Sequence, residues 1–309
     1  MTAAADVLDP GATPAALSSP RPFYWSVRRE IWENRSLYIA PLIAAGLVLF
    51  GFVISLLDLP QRRPSHGMHF TAGATPTHQM LAAIPYSVAA AAVMITAIIV
   101  GVFYCLGALH GERRDRSILF WKSLPVSDLT TVLSKATVPM VILPVVTFVV
   151  VIVLQLTMLV ISSVDHLMFG MSVVDVWTGV PLLHMTLTFV YALVVMALWH
   201  APIYAWLLLV SAWAKRVTFL WAFLPPLAIC LVEKIAFDTG YFAHFLSYRI
   251  FGGVSAAFSW PAHARNTMGG QPSIDLVGFL STPGLWLGLL AAAALTAAAV
   301  WLRRNREPI

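Results

Sequence analysis

Charged side chains are scarce in this 309-residue chain: Asp, Glu, Lys and Arg make up 11% of it, whereas 59% of the residues are hydrophobic. Soluble domains carry about 25% charged residues, so this shortage excludes an ordinary soluble globular domain. Several apolar stretches reach the ~20 residues that an α-helix needs to cross about 30 Å of hydrocarbon. A helix also satisfies its own backbone polar groups there. The composition therefore predicts an all-α polytopic integral membrane protein.

Cysteine is rare too, and both Cys105 and Cys230 lie in apolar segments without the spacing of a disulfide framework or a metal site. We expect two small buried hydrophobic residues. The histidines fit no zinc-binding pattern, so no metal site is predicted. Local signatures of a Ser-His-acid triad and of H-E-x-x-H are missing as well, so no catalytic residue is predicted.

The sequence also lacks the G-x-x-x-x-G-K-[ST] string whose backbone and lysine hold nucleotide phosphates. We therefore expect a chain that binds no cofactor and is not an enzyme by itself. Residues 1–20 lack the apolar core of a cleavable secretory signal, and their Ala, Pro, Ser and Thr bias predicts a flexible cytoplasmic tail.

Six apolar stretches, separated by polar or proline-rich breaks, predict six transmembrane helices within a domain over 37–302, followed by a tail over 303–309. The predicted spans are 37–57, 81–109, 138–161, 182–214, 217–237 and 277–302. Pro139 and Pro144 predict irregular first turns in the third span. Pro202 predicts a kink near His200 in the fourth.

The distribution of Lys and Arg predicts the orientation. Of the 19 residues, 14 fall on the side of the N-terminus, 4 fall on the opposite side and Lys234 lies near a span end. Basic loops stay in the cytoplasm, so an N-in, C-in arrangement is predicted. A basic inner face suits the lipid bilayer's anionic headgroups and gives no reason to predict a nucleic-acid partner.

The segment 21–36 precedes the first span and has amphipathic character. Its apolar stripe comprises Phe23, Tyr24, Val27, Ile31 and, just beyond, Tyr38, and the opposite face comprises Ser26, Arg29 and Glu33. This pattern predicts an interfacial helix on the inner membrane surface. A solvated extension of the first span is the alternative.

Two further features lie away from the predicted cytoplasmic side. The long outer segment 238–283 is partly apolar, but Gly252 and Gly253 predict that it is too broken to span and forms short helices that dip into the outer leaflet. Glu233 and Lys234 are adjacent in the fifth span and point about 100° apart, so we expect both to extend to the outer interface rather than to pair. A role in a substrate path is the alternative.

The loop 110–136, between the second and third spans, contains five successive charged residues, Glu112 to Arg116. Asp115 is expected to cap a short helix over 116–123, which Pro125 ends, and Ser127 or Asp128 is expected to cap the next helix. The apolar face of that short helix could fit a groove on a partner protein, with the flanking charges fixing the register. Alternatively, its aromatic residues anchor a basic loop at the lipid interface.

The segment ERRDRSILFWKSLPVSDLTTVLSK, residues 112–135, resembles the first cytoplasmic loop of the membrane permease subunits of type-2 ATP-binding cassette (ABC) transporters. In that family an acidic-basic turn precedes SILFWKSLP and an SD…SK helix entry. The six-span, N-in and C-in layout, the interfacial helix and the long outer segment extend the resemblance over nearly the whole chain.

This resemblance implies a permease subunit of an exporter in a bacterial plasma (inner) membrane, whose loop 110–136 forms a coupling helix in a cleft of a separate cytoplasmic ATPase subunit. It also implies a second permease chain, in a homo- or heterodimer, with ATP and Mg on the ATPase. The residues expected at or near the ATPase contact are Glu112, Arg113, Arg116, Ile118, Phe120, Trp121, Lys122, Leu124 and Asp128.

Polar residues within the spans are candidates for a substrate path, because ionisable and polar groups are costly in a membrane. Gln155 and His200 could line such a path, and each could equally form a hydrogen bond to a neighbouring helix. Two other functions fit the same residues. One is a transporter or channel without an ATPase, and the other is a membrane anchor or sensor scaffold whose loop recruits a signalling protein.

Overall fold

The computed structural model of this chain describes residues 22–57, 76–115, 127–259 and 273–305. These residues form eleven α-helices, one π-helical turn and one two-stranded antiparallel sheet. The elements are α1 (Pro22–Glu33), α2 (Ser36–Leu57), α3 (Pro76–Arg114), α4 (Asp128–Thr137), the π-helical turn (Val138–Ile142), α5 (Leu143–Met168), α6 (Val173–Gly179), α7 (Leu182–Trp213), α8 (Thr218–Phe237), α9 (Tyr241–Ala257), β1 (Phe258–Ser259), β2 (Ser273–Ile274), α10 (Leu276–Ser281) and α11 (Pro283–Asn305).

Six helical segments are long and apolar enough to cross a membrane. They are Ser36–Leu57, Ala82–Arg114, Asp128–Met168, Val173–Trp213, Thr218–Phe237 and Pro283–Asn305. Each of the six predicted spans has its counterpart among them. The all-α, multi-pass membrane fold is therefore confirmed, because six long apolar helices need the surroundings that a bilayer supplies.

The third span begins earlier and less regularly than an ideal helix. Ser127 caps α4, with its Oγ accepting a hydrogen bond from the Thr130 amide at 3.1 Å, so one of the two predicted caps is confirmed. The π-helical turn that follows contains Pro139, and α5 begins just before Pro144. Proline lacks the amide that an α-helix requires, and wider turns often accommodate such interruptions. The predicted irregular first turns are confirmed.

The sixth predicted span, 277–302, is not continuous. Thr282 has extended backbone angles, φ −69° and ψ 117°, and separates α10 from α11. A proline ring disfavours helical backbone angles in the residue before it. Thr282 is therefore extended, and Pro283 starts a new helix instead of continuing the previous one. The membrane-crossing helix therefore begins at Pro283. In the fourth span, by contrast, α7 continues through Pro202 without ending, and a kink there stays a prediction.

The centre of the bundle is α7, which packs against α3, α9 and α11. Its Trp199 is fully buried. The helices α2 and α8 lie at the periphery, and Ala222 is the buried residue of α8. Large apolar side chains cover the outside of both peripheral helices. In a membrane this outer surface faces lipid, so polar contacts concentrate inside the bundle and at its two ends.

The outer segment differs from the prediction at its glycines. Helix α9 runs through Gly252 and Gly253 without a break. A Cβ at Gly253 would lie 2.8 Å from Cγ of Trp199, closer than van der Waals contact allows. The two glycines therefore allow the indole ring of α7 to approach the α9 backbone, and the prediction that they interrupt the segment is wrong.

The helix predicted within 21–36 is confirmed as α1. The side of α1 that faces the bundle carries Glu30, which was not predicted to be buried. Trp25 and Trp32 are more than half exposed, and the Arg28 guanidinium lies over both rings, 5.2 and 4.5 Å from their centres. Glu30 is the buried residue of this helix. An aromatic face with an interleaved arginine suits a membrane surface, so an interfacial location stays our expectation.

Candidate functional site

Charged side chains from four helices meet at one end of the bundle. They include residues shortly before and shortly after the segment 116–126. We call this group the charged cluster. It comprises three carboxylates and three cations: Glu30, Glu112 and Asp128 with Arg29, Lys135 and Arg303. Their formal charges cancel, which is the condition under which ionised groups can be buried together.

Glu112, at the end of α3, is the centre of the charged cluster. Its Oε1 lies 3.1 Å from Nζ of Lys135 and 3.6 Å from Nη2 of Arg29, and its Oε2 accepts a hydrogen bond from Nη1 of Arg303 at 2.5 Å. The carboxylate is 6% exposed. A charge-assisted hydrogen bond is roughly twice as strong as a neutral one. One carboxylate therefore joins the ends of α1, α3, α4 and α11.

Lys135 joins α4 to α1. Its ammonium donates a hydrogen bond to Oε1 of Glu30 at 2.7 Å, and Tyr104 of α3 donates its hydroxyl to Oε2 of the same carboxylate at 2.8 Å. The side chains of Lys135 and Glu30 are both less than 5% exposed. The carboxylate of the N-terminal helix is thus held by two different helices of the bundle.

Arg303 joins the last helix to the start of α4. Its Nε donates to Oδ1 of Asp128 at 2.9 Å while its Nη1 donates to Glu112. Asp128 occupies the first turn of α4, where a negative charge also interacts favourably with the helix dipole. The two contacts of this guanidinium therefore connect the residues on either side of 116–126.

A second set of contacts holds the end of α7. Nη1 of Arg113 donates to the carbonyl oxygen of Ala212 at 2.7 Å, and Nδ1 of His110 lies 3.2 Å from the carbonyl oxygen of Ala214. Oγ of Ser211 accepts from the amide of Leu109 at 3.0 Å. The last carbonyl groups of a helix lack partners within it, and a cationic side chain is a suitable cap for them. Helix α3 is thus fastened to α7 next to the charged cluster.

Arg29 lies at the edge of the charged cluster and is partly exposed. Burial lowers the pKa of its guanidinium. The hydrogen bond and the charge of Glu33, with the charges of Glu30 and Glu112, outweigh burial and raise that pKa overall. The outer edge of the cluster therefore keeps its positive charge at every physiological pH.

The residues predicted at the ATPase contact fall into two groups. Glu112, Arg113 and Asp128 lie in the described ranges, and their side chains bond to other helices of the same chain. Glu112 and Arg113 are only about 5% exposed, so in this conformation they position neighbouring helices and present little surface to a partner. The others lie outside the described residues: Arg116, Ile118, Phe120, Trp121, Lys122 and Leu124.

Sequence analysis missed Glu30, Tyr104, Lys135 and Arg303 as members of one site. Lys135 and Arg303 belong to the 14 basic residues on the N-terminal side, which predict only the orientation. The burial of Glu30 could have been predicted from the sequence, because Glu30 lies three residues after Val27, on the apolar stripe of α1. A charge on the apolar face of an amphipathic helix indicates an internal partner, although it does not say which one.

Gln155 and His200 bond to backbone carbonyl groups inside the bundle. Nε2 of Gln155 donates to the carbonyl oxygen of Tyr86 in α3 at 3.3 Å. Nδ1 and Nε2 of His200 lie 3.0 and 3.2 Å from the carbonyl oxygens of Met196 and Ile250. A neutral imidazole has one N–H and can donate to only one of these two carbonyls. The contacts between helices favour the second predicted role, and a role in a substrate path stays a prediction.

Glu233 and Lys234 do not pair with each other, as expected. The carboxylate of Glu233 accepts hydrogen bonds from the amides of Tyr241 and Phe242, the first residues of α9, at 2.7 and 2.8 Å. Lys234 pairs with Asp238 at 2.6 Å on the exposed surface. Glu233 thus caps α9 across the turn that follows α8, a role that its place in an apolar span did not indicate.

Within the described ranges, no group of three or more His, Cys, Asp or Glu side chains could hold a metal ion. The carboxylates of the charged cluster are paired with the cations of the same cluster. This arrangement joins helices and is not typical of a ligand-binding site. Comparisons with protein-family models, with curated proteins and with solved structures found no match to this chain. The chain is a multi-pass, all-α membrane protein with a buried charged cluster at one end.

Proposed function

We propose that this chain is the permease subunit of an ABC exporter in a bacterial plasma membrane, driven by a separate ATPase that engages the loop 110–136. The observation that carries the proposal is the charged cluster, which joins both ends of this loop to two other helices, α1 and α11. The resemblance of residues 112–135 to the coupling loop of type-2 ABC permeases supports the same assignment.

The physical requirement on a coupling loop is that a load applied to it moves whole helices. Glu112 on one side of 116–126 and Asp128 on the other share the guanidinium of Arg303, and Glu112 also contacts Lys135. Arg113 extends the connection to the end of α7. When the loop is displaced, α1, α3, α4, α7 and α11 therefore move together. The load does not bend the end of a single helix.

The proposal divides the predicted contact residues by role. Glu112, Arg113 and Asp128 are positioning residues that fix the ends of the loop. Contact with the ATPase itself belongs to the intervening residues: Arg116, Ile118, Phe120, Trp121, Lys122 and Leu124. Buried aromatic anchors with charged neighbours are typical of the few residues that carry most of the binding energy in an interface.

The rest of the assembly follows from the same proposal. The bound ATP and Mg belong to the ATPase, because this sequence has no phosphate-binding string. Two permease chains, identical or different, stand side by side above two ATPases. The exported substrate passes between them, with Gln155 and His200 as candidates for the lining.

The test of this function is copurification with an ATPase encoded beside the gene, followed by Trp121→Ala and Lys122→Glu. We expect each variant to weaken association and ATP turnover at least about tenfold, which corresponds to the loss of about 1.4 kcal/mol of binding free energy. Trp25→Ala is a matched control, because Trp25 is an exposed tryptophan on α1 that lies outside the loop 110–136 in sequence. It is expected to leave both quantities unchanged.

Three outcomes contradict the proposal. If no ATPase copurifies, a transporter or channel without an ATPase becomes the better assignment. If a different protein copurifies and depends on Trp121, the chain is a membrane scaffold. If both variants leave ATPase association and ATP turnover unchanged, the loop is not the contact with the ATPase.

The orientation gives a separate prediction in a variant that lacks Cys105 and Cys230. Asp115→Cys, at an exposed position beside the loop, should react with an impermeant thiol reagent only after the cells are permeabilised. Ser172→Cys, at an exposed position between α5 and α6, should react in intact cells. Basic residues concentrate at the end that contains Asp115, which places it inside. The reverse pattern of labelling would invert the topology.

A further inference from the structure

Arg249 is a buried cation to which the structure gives no anionic partner. It lies in α9 and is 7% exposed. Its Nη1 donates to the carbonyl oxygen of Gly284 at 2.9 Å, and its guanidinium carbon lies 4.8 Å from the centre of the Trp199 ring. Nε and Nη2 have no hydrogen-bond partner among the residues that the structure describes. Among the described residues, no carboxylate forms an ion pair with Arg249. Buried charges in proteins are normally paired, so this one is an exception that calls for an anion.

The two nitrogens without a partner are the ones that recognise an oxyanion. Nε–H and one N–H of Nη2 point in the same direction along one edge of the guanidinium plane. This edge forms two parallel hydrogen bonds with two oxygens of a phosphate or carboxylate. The Gly284 carbonyl and the Trp199 ring occupy Nη1 and one face, which fixes the plane of the group. The orientation of the remaining edge, Nε and Nη2, is therefore fixed, although both nitrogens are covered in this conformation.

Glycine at position 288 belongs to the same arrangement. A Cβ at Gly288 would overlap Nη2 and the guanidinium carbon of Arg249. Nη1 would lie 2.6 Å from that Cβ. Only glycine leaves room for the guanidinium beside the backbone of α11. The same side chain is thus positioned by two glycines of the last helix and by the central tryptophan of the bundle.

The depth of Arg249 indicates where the oxyanion comes from. Gly284 and Gly288 lie in the first two turns of α11, whereas Arg303 of the charged cluster lies near its other end. At about 1.5 Å per residue, Gly284 is about 28 Å along the helix from Arg303. The hydrocarbon core is about 30 Å thick. Arg249 therefore lies near the headgroup level of the leaflet opposite the charged cluster.

The surface around Arg249 faces lipid. Phe251 lies two residues after Arg249 in α9 and is 72% exposed, and Leu287 and Trp286, just before Gly288 in α11, are 66% and 55% exposed. Large exposed apolar side chains with a tryptophan at the end of a span are typical of the membrane interface. The most abundant oxyanion at that depth is the phosphate of a phospholipid.

We propose that Arg249 binds a phosphate-type oxyanion at the leaflet opposite the charged cluster, with Nε and Nη2 as the two donors. Both nitrogens are covered in this conformation, so the groups that cover Nε and Nη2 move aside to admit the oxyanion, while the Gly284 carbonyl keeps its hydrogen bond from Nη1. The binding is independent of the proposed ATPase coupling, because it involves neither the loop nor the charged cluster. Its failure would leave the proposed function untouched.

The experiment uses the full chain, purified and delipidated in a neutral detergent. Its thermal unfolding midpoint and its bound lipid, counted by native mass spectrometry, are measured with four additions: buffer, dioleoylphosphatidylglycerol, dioleoylglycerol and inorganic phosphate. We expect one phosphatidylglycerol per chain and a rise in midpoint of about 4 °C at a hundredfold excess over Kd. Dioleoylglycerol has the same acyl chains without phosphate and is expected to give no rise.

Three variants test the residues. Arg249→Gln removes the charge and is expected to abolish both the bound lipid and the rise in midpoint. Arg249→Lys keeps the charge but lacks the two-donor edge and should lose most of both. Gly288→Ala leaves Arg249 in the chain but displaces its guanidinium, and it is expected to behave like Arg249→Gln. The controls are Lys234→Gln, an exposed cation, and Gly46→Ala, where a Cβ meets nothing within 4 Å.

The outcomes answer two separate questions. One is whether the site exists, and the other is whether its oxyanion is a lipid phosphate or a soluble phosphate. A rise with phosphatidylglycerol alone identifies a lipid phosphate, and an equal rise with inorganic phosphate identifies a soluble one. Equal rises with phosphatidylglycerol and dioleoylglycerol would overturn the site, and this comparison needs only the unaltered chain. An Arg249→Gln variant that keeps the full rise would overturn it too.

Discussion

Lys135→Met is expected to destabilise the folded chain by about 4 kcal/mol, within the range of about 3–5 kcal/mol for breaking a buried ion pair by removing one partner. The reason is that Glu30, on α1, then keeps only the hydroxyl of Tyr104 as a partner. Its carboxylate stays buried without a cation, and the charged cluster acquires a net charge of about −1. We expect α1 to detach from the bundle first, because Lys135 is its ion-pair contact with α4.

The measurement is reversible unfolding in mixed detergent micelles, followed by tryptophan fluorescence. The detachment of α1 is followed separately, through the accessibility of a cysteine placed at half-buried Val27. Combining Lys135→Met with Glu30→Gln removes both charges of the pair and restores neutrality. This double variant should be more stable than Lys135→Met alone, since removing a whole buried pair costs less than leaving half of it. If the two effects simply add, the ion pair does not hold α1.

Glu112→Gln is expected to destabilise the chain by about 3 kcal/mol, the lower end of the same range. The amide keeps the shape of the side chain but removes the charge shared by Lys135 and Arg303. The cost is smaller than for Lys135→Met because each cation retains one carboxylate, Glu30 for Lys135 and Asp128 for Arg303. In the proposed assembly we also expect ATP turnover to continue while substrate movement falls, because the ends of the loop are no longer joined.

Asp115→Asn is the matched control for Glu112→Gln, since it removes the same charge a few residues further along the chain. Asp115 is exposed and pairs only with exposed Arg114, at 3.0 Å. Surface ion pairs contribute about 0–1 kcal/mol, so little change is expected. Equal destabilisation by the two variants would mean that Glu112 is effectively solvated and that the charged cluster does not fasten the helices.

The agreement between prediction and structure is closest where a property is local. Apolar stretches of sufficient length predicted all six spans, and Pro139 and Pro144 marked the irregular start of the third. Ser127 was recognisable as a cap because capping depends on residues three positions apart. In each case the chemistry that decides the structure lies within a few neighbouring residues.

The prediction failed where a residue's role depends on a distant neighbour. Gly252 and Gly253 suggested a broken segment, and their actual function is to admit Trp199 from another helix. Glu233 does not pair with Lys234, as expected, but its hydrogen bonds to the first amides of α9 were not predicted. A glycine or a carboxylate has the same local appearance in both roles, so only the packing distinguishes them.

Composition and the order of apolar stretches alone determined that this is an all-α membrane protein with six crossing helices, because burying a backbone in lipid requires long, self-satisfied helices. The tertiary structure decided which charges leave the surface. Lys135 meets a carboxylate 105 positions away, and Arg303 meets one 191 positions away. Helix packing brings these ends together, and burial then makes each pairing obligatory, since an ion without its partner is far more costly inside the protein than in water.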